Sequence, residues 1–162
     1  MLGLTSLGVL HTLIGLLAVV SGFWALVRYK EISPKNRLGQ TYLVATLITA
    51  VTGLGIFQHG GFGPPHALSI LTLIALAVGT VGVTTTVFGR LSRYVQAASY
   101  SATMLFHMIP GFTESLTRLP VDGPVFASAD APEFKPIYGT LIVLFLIGLT
   151  LQIRRLRAEA KR

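Results

Sequence analysis

The sequence predicts an all-α integral membrane bundle of five transmembrane helices, with the amino terminus outside and the carboxyl terminus in the cytoplasm. Two observations carry this. Of the 162 residues, 52% are hydrophobic and 12% charged. The apolar residues come in blocks near the roughly 20 residues needed to cross a hydrocarbon core of about 30 Å. The second observation is charge asymmetry. Alternating the blocks from an outer start puts Arg28, Lys30, Lys35, Arg37, Arg90, Arg93, Arg154, Arg155, Arg157, Lys161 and Arg162 on one side, eleven of the thirteen basic residues. Only Arg118 and Lys135 remain on the other, and such a bias orients membrane proteins with the basic side in the cytoplasm.

The spans are expected at Leu4–Val27, Gln40–Gln58, Pro65–Phe88, Tyr94–Thr117 and Ile137–Ile153, together forming one transmembrane domain over residues 1–162. The first is longer than a signal-peptide core and is followed by basic residues instead of a small-residue cleavage site, so it is retained as a span. In it Gly8, His11, Gly15, Ala18 and Gly22 recur at spacings of three and four, a small-residue stripe that lets another helix approach closely. The third opens with Pro64-Pro65-His66, and proline is well tolerated where a helix begins.

The fourth span is the least regular. Arg93, Gln96, Tyr100, Thr103, His107, Gly111, Glu114 and Arg118 share one helical face. Ionisable groups inside a bilayer are costly unless they face the bundle interior, so that face is a functional-site candidate. The stripe and an expected break at Pro110-Gly111 also suit a re-entrant or interfacial helix. The fifth span is short but uncharged, and the loop Leu119–Pro136 before it reads as an ordered cap or a flexible connection.

Charge and cysteine content narrow the function classes. The net charge of +7 sits mostly on the cytoplasmic flanks, where the lipid bilayer with its anionic headgroups is the natural partner, and nothing resembles a nucleic-acid-binding module. Without cysteine there is no thiolate metal site, no iron–sulfur cluster and no thioether-linked haem. Phosphate loops and nucleophile elbows are missing too. The expected location is the inner (cytoplasmic) membrane.

Four histidines fall in the outer half: His11, His59, His66 and His107. His11, His66 and His107 are expected to point into the bundle, with His107 deepest and His59 at the aqueous boundary. Two chemistries fit. Bis-histidine ligation of haem b needs two imidazoles at similar depth with small residues admitting the porphyrin, which would make His11, His66 and His107 cofactor ligands in electron or proton transfer, within a membrane redox complex or a homo-oligomer. Alternatively, His11, His66, His107 and Glu114 have ligand types suited to zinc, copper or iron, in a metal-binding and hydrolytic protein, although no compact metal motif is present. A third class is a ligand-free accessory or assembly subunit. In that reading His11, Gln96, Tyr100 and Thr103 bind helices together, and Glu114 and Arg118, four residues apart, form an intrahelical ion pair. Trp24, Tyr29 and Tyr94 read as interfacial anchors, and the tail Arg154–Arg162 as a solvated, lipid-facing helix end.

The first half of the chain also carries a pattern. Lys35-Asn36-Arg37-Leu38-Gly39-Gln40-Thr41-Tyr42 enters the second span, and Gln58-His59-Gly60-Gly61-Phe62-Gly63-Pro64-Pro65-His66 leads into the third. With His11 before them, these stretches resemble a bacterial membrane family, domain of unknown function 2306, over roughly Gly8–Leu76. His11, Arg37, Gly39, Tyr42 and His66 carry the match. Asn36 departs from it, standing where the family usually has histidine, and so does Arg93–Arg118. The resemblance implies a small multi-pass fold and no activity.

Overall fold

The computed structural model describes residues 5–57 and 61–161. His59 lies outside them, as do Met1 and Arg162 at the two chain ends. Among the described residues the regular structure is entirely helical: α1 Ser6–Tyr29, α2 Arg37–Gly53, α3 Pro64–Thr84, α4 Ser92–Arg118 and α5 Phe134–Glu159, with a single 3₁₀ turn Gly89–Leu91 between α3 and α4.

Local signals explain the boundaries. Thr5 accepts a hydrogen bond from the Gly8 amide (3.1 Å) and Asn36 one from the Gly39 amide (2.8 Å), each side chain satisfying an amide that has no helical partner. Pro64 and Pro65 occupy the first turn of α3, where a missing N–H costs nothing. Lys30 ends α1 in the left-handed region (φ 61°), its N–H closing on the Leu26 carbonyl at 3.0 Å. The larger departures from the expected bounds fall in three helices. α2 stops at Gly53, five residues early, in a series of tight turns. α3 stops at Thr84, where Thr85 turns extended. α5 runs from Phe134 to Glu159, beyond the uncharged core at both ends.

Pro110-Gly111 does not break α4, which is continuous from Ser92 to Arg118. The proline only deletes one helical N–H, leaving the Phe106 carbonyl without its usual partner.

α1, α3 and α5 are long and apolar enough to cross a membrane. Their outer faces expose Leu13, Val20, Leu71, Ile74, Leu144 and Leu151, each at least 47% accessible, which only a lipid environment makes inexpensive. α2 has just 17 residues, and the polar stripe lowers the apolar content of α4. The core holds Ala18, Ala25, Tyr42, Ala45, Leu76, Tyr100 and Met104. Small residues let it close: a side chain at Gly22 would overlap the Tyr42 ring and the Met104 methyl, and one at Gly79 would overlap the Tyr100 ring.

Hydrogen bonds between helices define the two ends of the bundle. At one end His11 of α1 meets Thr52 of α2, and Thr113 of α4 meets Tyr138 of α5 (2.6 Å). At the other, Arg93 of α4 pairs with Glu159 of α5 (3.0 Å), and Arg155 donates to the Tyr29 carbonyl of α1 (2.7 Å). Successive helices therefore alternate in direction. The tail is not simply solvated, since Glu159 bridges Arg93 of α4 and Arg155 of its own helix, while Arg155 reaches the end of α1.

Candidate functional site

At the end of the bundle where α2 finishes and α3 begins lies a cavity of about 310 Å³, at the lower bound of the range of ligand sites. His11 from α1, His66 from α3, and His107 with Glu114 from α4 all line it. The structure thus brings all four expected site residues to one cavity. Gly53, Thr49, Ser69 and Phe106 complete much of the lining.

Each imidazole is held differently. His11 Nδ1 is 3.0 Å from the Thr52 hydroxyl, whose hydrogen is committed to the Ile48 carbonyl at 2.8 Å. Nδ1 is therefore the donor, and His11 Nε2 is left as an acceptor. His107 Nε2 shares a hydrogen bond with the Thr46 hydroxyl (3.1 Å), and its ring meets Tyr42 edge-on.

His66 is the most enclosed, 4% accessible and flanked by Phe57 and Phe62 with ring centroids 4.6 and 5.4 Å away. Its position three residues into α3 lets the side chain reach back, so that Nδ1 accepts the Gly63 N–H (3.2 Å). A ring nitrogen that accepts carries no proton, so the hydrogen sits on Nε2. That Nε2 is buried and has no hydrogen-bond partner, the one such side-chain atom among the described residues. Leaving a buried donor unmade costs about 1–3 kcal/mol.

Glu114 and Arg118 form the ion pair expected from their spacing, with the carboxylate half exposed. Both line the cavity, which brings the pair's charges to its edge in mutually neutralised form.

Much of the rest of the α4 stripe ties α4 to its neighbours. Gln96 donates to the Ile32 carbonyl (3.2 Å), Tyr100 reaches Thr80 on α3 (3.2 Å), and Thr103 meets Tyr42 on α2 (2.6 Å). Ser101, off the stripe, donates to Gln152 on α5 (2.9 Å). Sequence reasoning missed the partners Thr46 and Thr52. A usable signal existed in Thr46, Thr49 and Thr52, which recur every three residues along an otherwise apolar helix.

The small-residue stripe of α1 does not open a slot for a porphyrin: Gly22 packs on Tyr42 and Met104, and Gly15 on Thr49. With His11 and His107 also bonded to threonines of α2, the residues present do not fit a haem b held between α1 and α4. As for zinc, copper or iron, no group of three or more His, Asp or Glu side chains among the described residues is placed to hold a metal ion.

No family model, curated protein or solved structure matches the chain. The likeness of its first half to domain of unknown function 2306 rests on the five residues named for it. In the fold, His11 and His66 line the cavity, Arg37 and Gly39 open α2, and Tyr42 is fully buried against α4.

Proposed function

We propose that the chain is a five-span protein of the cytoplasmic membrane, amino terminus outside, whose outer-half histidine cavity binds a small amphipathic ligand in the service of proton or electron transfer. One observation carries this reading: three imidazoles and a carboxylate, drawn from α1, α3 and α4, line a single cavity. A neutral imidazole carries one donor and one acceptor nitrogen, which suits such a cluster to hydrogen-bonding a bound molecule and passing a proton along those bonds.

The span count has support of its own. The 17 residues of α2 extend about 25 Å, close to the hydrocarbon thickness. The polar face of α4 is turned onto α2 and α3, where Thr103 and Tyr100 find hydrogen-bond partners, so its composition suits a span surrounded by other helices. A membrane redox complex is the natural partner for such a protein.

A second reading, a ligand-free accessory subunit, is favoured by the Thr52 and Thr46 bonds that already occupy His11 and His107. One experiment separates the two: small molecules extracted from the purified protein are quantified by mass spectrometry, alongside absorbance before and after reduction. The proposal expects a ligand at near-stoichiometric occupancy that is lost in His107→Ala. Absence of any extractable species, with His107→Ala lowering only thermal stability, would leave the accessory subunit. A Soret band that shifts on reduction would instead restore haem b.

A further inference from the structure

We infer that the ligand of the histidine cavity is a quinone or quinol head group, seated with one oxygen on the Nε2–H of His66; this rests on the reading that the cavity holds a small amphipathic molecule. The starting point is the unpartnered donor. His66 is 4% accessible, its Nδ1 is committed to the Gly63 amide, and its Nε2 has no protein partner. Capping α3 needs only the acceptor on Nδ1, so the fold gives the buried Nε2–H no role of its own. A ligand acceptor would give it one.

Charge then decides what kind of acceptor. Arg118 is the cation on the cavity wall, and it is paired with Glu114 one turn away. An anionic ligand would have to compete with that carboxylate, whereas a neutral carbonyl oxygen needs nothing beyond the imidazole N–H. Apolar wall residues such as Ile56, Leu68 and Phe106 suit a molecule that arrives from the bilayer.

Complementarity at the other histidines points to one class. His11 offers an acceptor at Nε2, and His107 is bonded to a threonine hydroxyl that can take either role. A cavity whose lining includes a fixed donor at His66 and an acceptor at His11 fits a ring that carries two oxygens, each of which accepts as a carbonyl or donates as a hydroxyl. Phospholipid esters only accept, and they bring a phosphate for which Arg118 is not at liberty.

The test uses the full-length protein in phospholipid nanodiscs with a decyl-substituted ubiquinone as the probe, read by equilibrium binding and by the unfolding midpoint. Wild type should bind saturably and unfold at a higher temperature with the quinone present. His66→Asn keeps an oxygen acceptor for the Gly63 amide but has no Nε2–H. It should keep the helix cap but unfold somewhat below wild type without quinone, having lost the ring packed between Phe57 and Phe62, and bind the probe about tenfold more weakly, the worth of one hydrogen bond. His66→Gln restores an N–H near the Nε2 position while losing the cap, so it should bind better than His66→Asn at a lower midpoint. If His66→Asn binds as tightly as wild type, the assignment of His66 is overturned. Should the probe fail to bind while another molecule is extracted stoichiometrically, the quinone inference falls and the ligand-cavity reading stands. If nothing binds and nothing is extracted, both fall.

Discussion

At the scale of single residues, the bundle is held by short polar bonds between helices whose outer surfaces are apolar. Tyr42 donates to Thr103 at 2.6 Å, since the Thr103 hydroxyl hydrogen is taken by the Tyr100 carbonyl at 2.7 Å. In membranes such bonds contribute about 0.6 kcal/mol on average and about 1.7 at most, because the helices find other partners when separated. A double-mutant cycle on Tyr42→Phe and Thr103→Val, followed by unfolding in detergent, should therefore give a coupling within that range. Gly22→Leu should cost more than either single change. The added side chain has to displace Tyr42 or Met104 from a closed contact, and overpacking of that kind costs about 1–3 kcal/mol. A Gly22→Leu protein as stable as wild type would show that α1 does not pack on α2 and α4 as described.

Individual elements differ in how far their sequence revealed them. α1, α3 and α5 were legible because each is a long apolar run, and the pairing of Glu114 with Arg118 because it is local to one helix. Residues His11, His66 and His107 could be foreseen as inward-facing from helical periodicity and the cost of placing them in lipid. Periodicity identifies a face but not what stands opposite, so Thr46 and Thr52 went unseen, as did the closing of the glycine stripe by Tyr42 and Met104. Continuity of α4 through Pro110 escaped for a related reason: proline removes one bond, and whether a helix survives that depends on its neighbours. The clamp between α4 and α5 was equally invisible, because Arg93 and Glu159 are 66 residues apart. It yields a pH prediction. Hydrogen bonds from Arg155 and Arg93 hold the Glu159 carboxyl below its ordinary range. A carboxylate whose folded value is depressed contributes stability that is complete above its unfolded value, near 4.3 for glutamate, and fades as pH falls through the folded one. Wild type should thus exceed Glu159→Gln in unfolding midpoint at neutral pH, by a small margin because the group is exposed, and the gap should close in acid. A gap that persists unchanged at pH values well below the glutamate range would mean that the bridge does not tie α4 to α5.

For the whole molecule, the arrangement of the helices gives the charge asymmetry a physical location. Arg93, Arg155 and Glu159 meet at the end of the bundle where α1 finishes, close in sequence to Arg28, Lys30, Arg90, Arg154 and Arg157. The histidine cavity lies at the opposite end, beside the start of α3. If α2 and α4 span along with the three more apolar helices, an odd number of crossings separates the two termini, and the basic end belongs in the cytoplasm. A fluorescent reporter at the carboxyl terminus should then be active from the cytoplasm, and an alkaline phosphatase reporter on the amino-terminal side should be active only outside it. Reporters placing both termini in one compartment would remove the five-span arrangement, leaving α2 or α4 as a helix that enters the bundle without crossing. The opposite orientation would keep the spans but move the cavity to the cytoplasmic half. A ligand of the kind proposed would then exchange protons with the cytoplasm, so the orientation of this bundle decides which side of the membrane the cavity of His11, His66 and His107 faces.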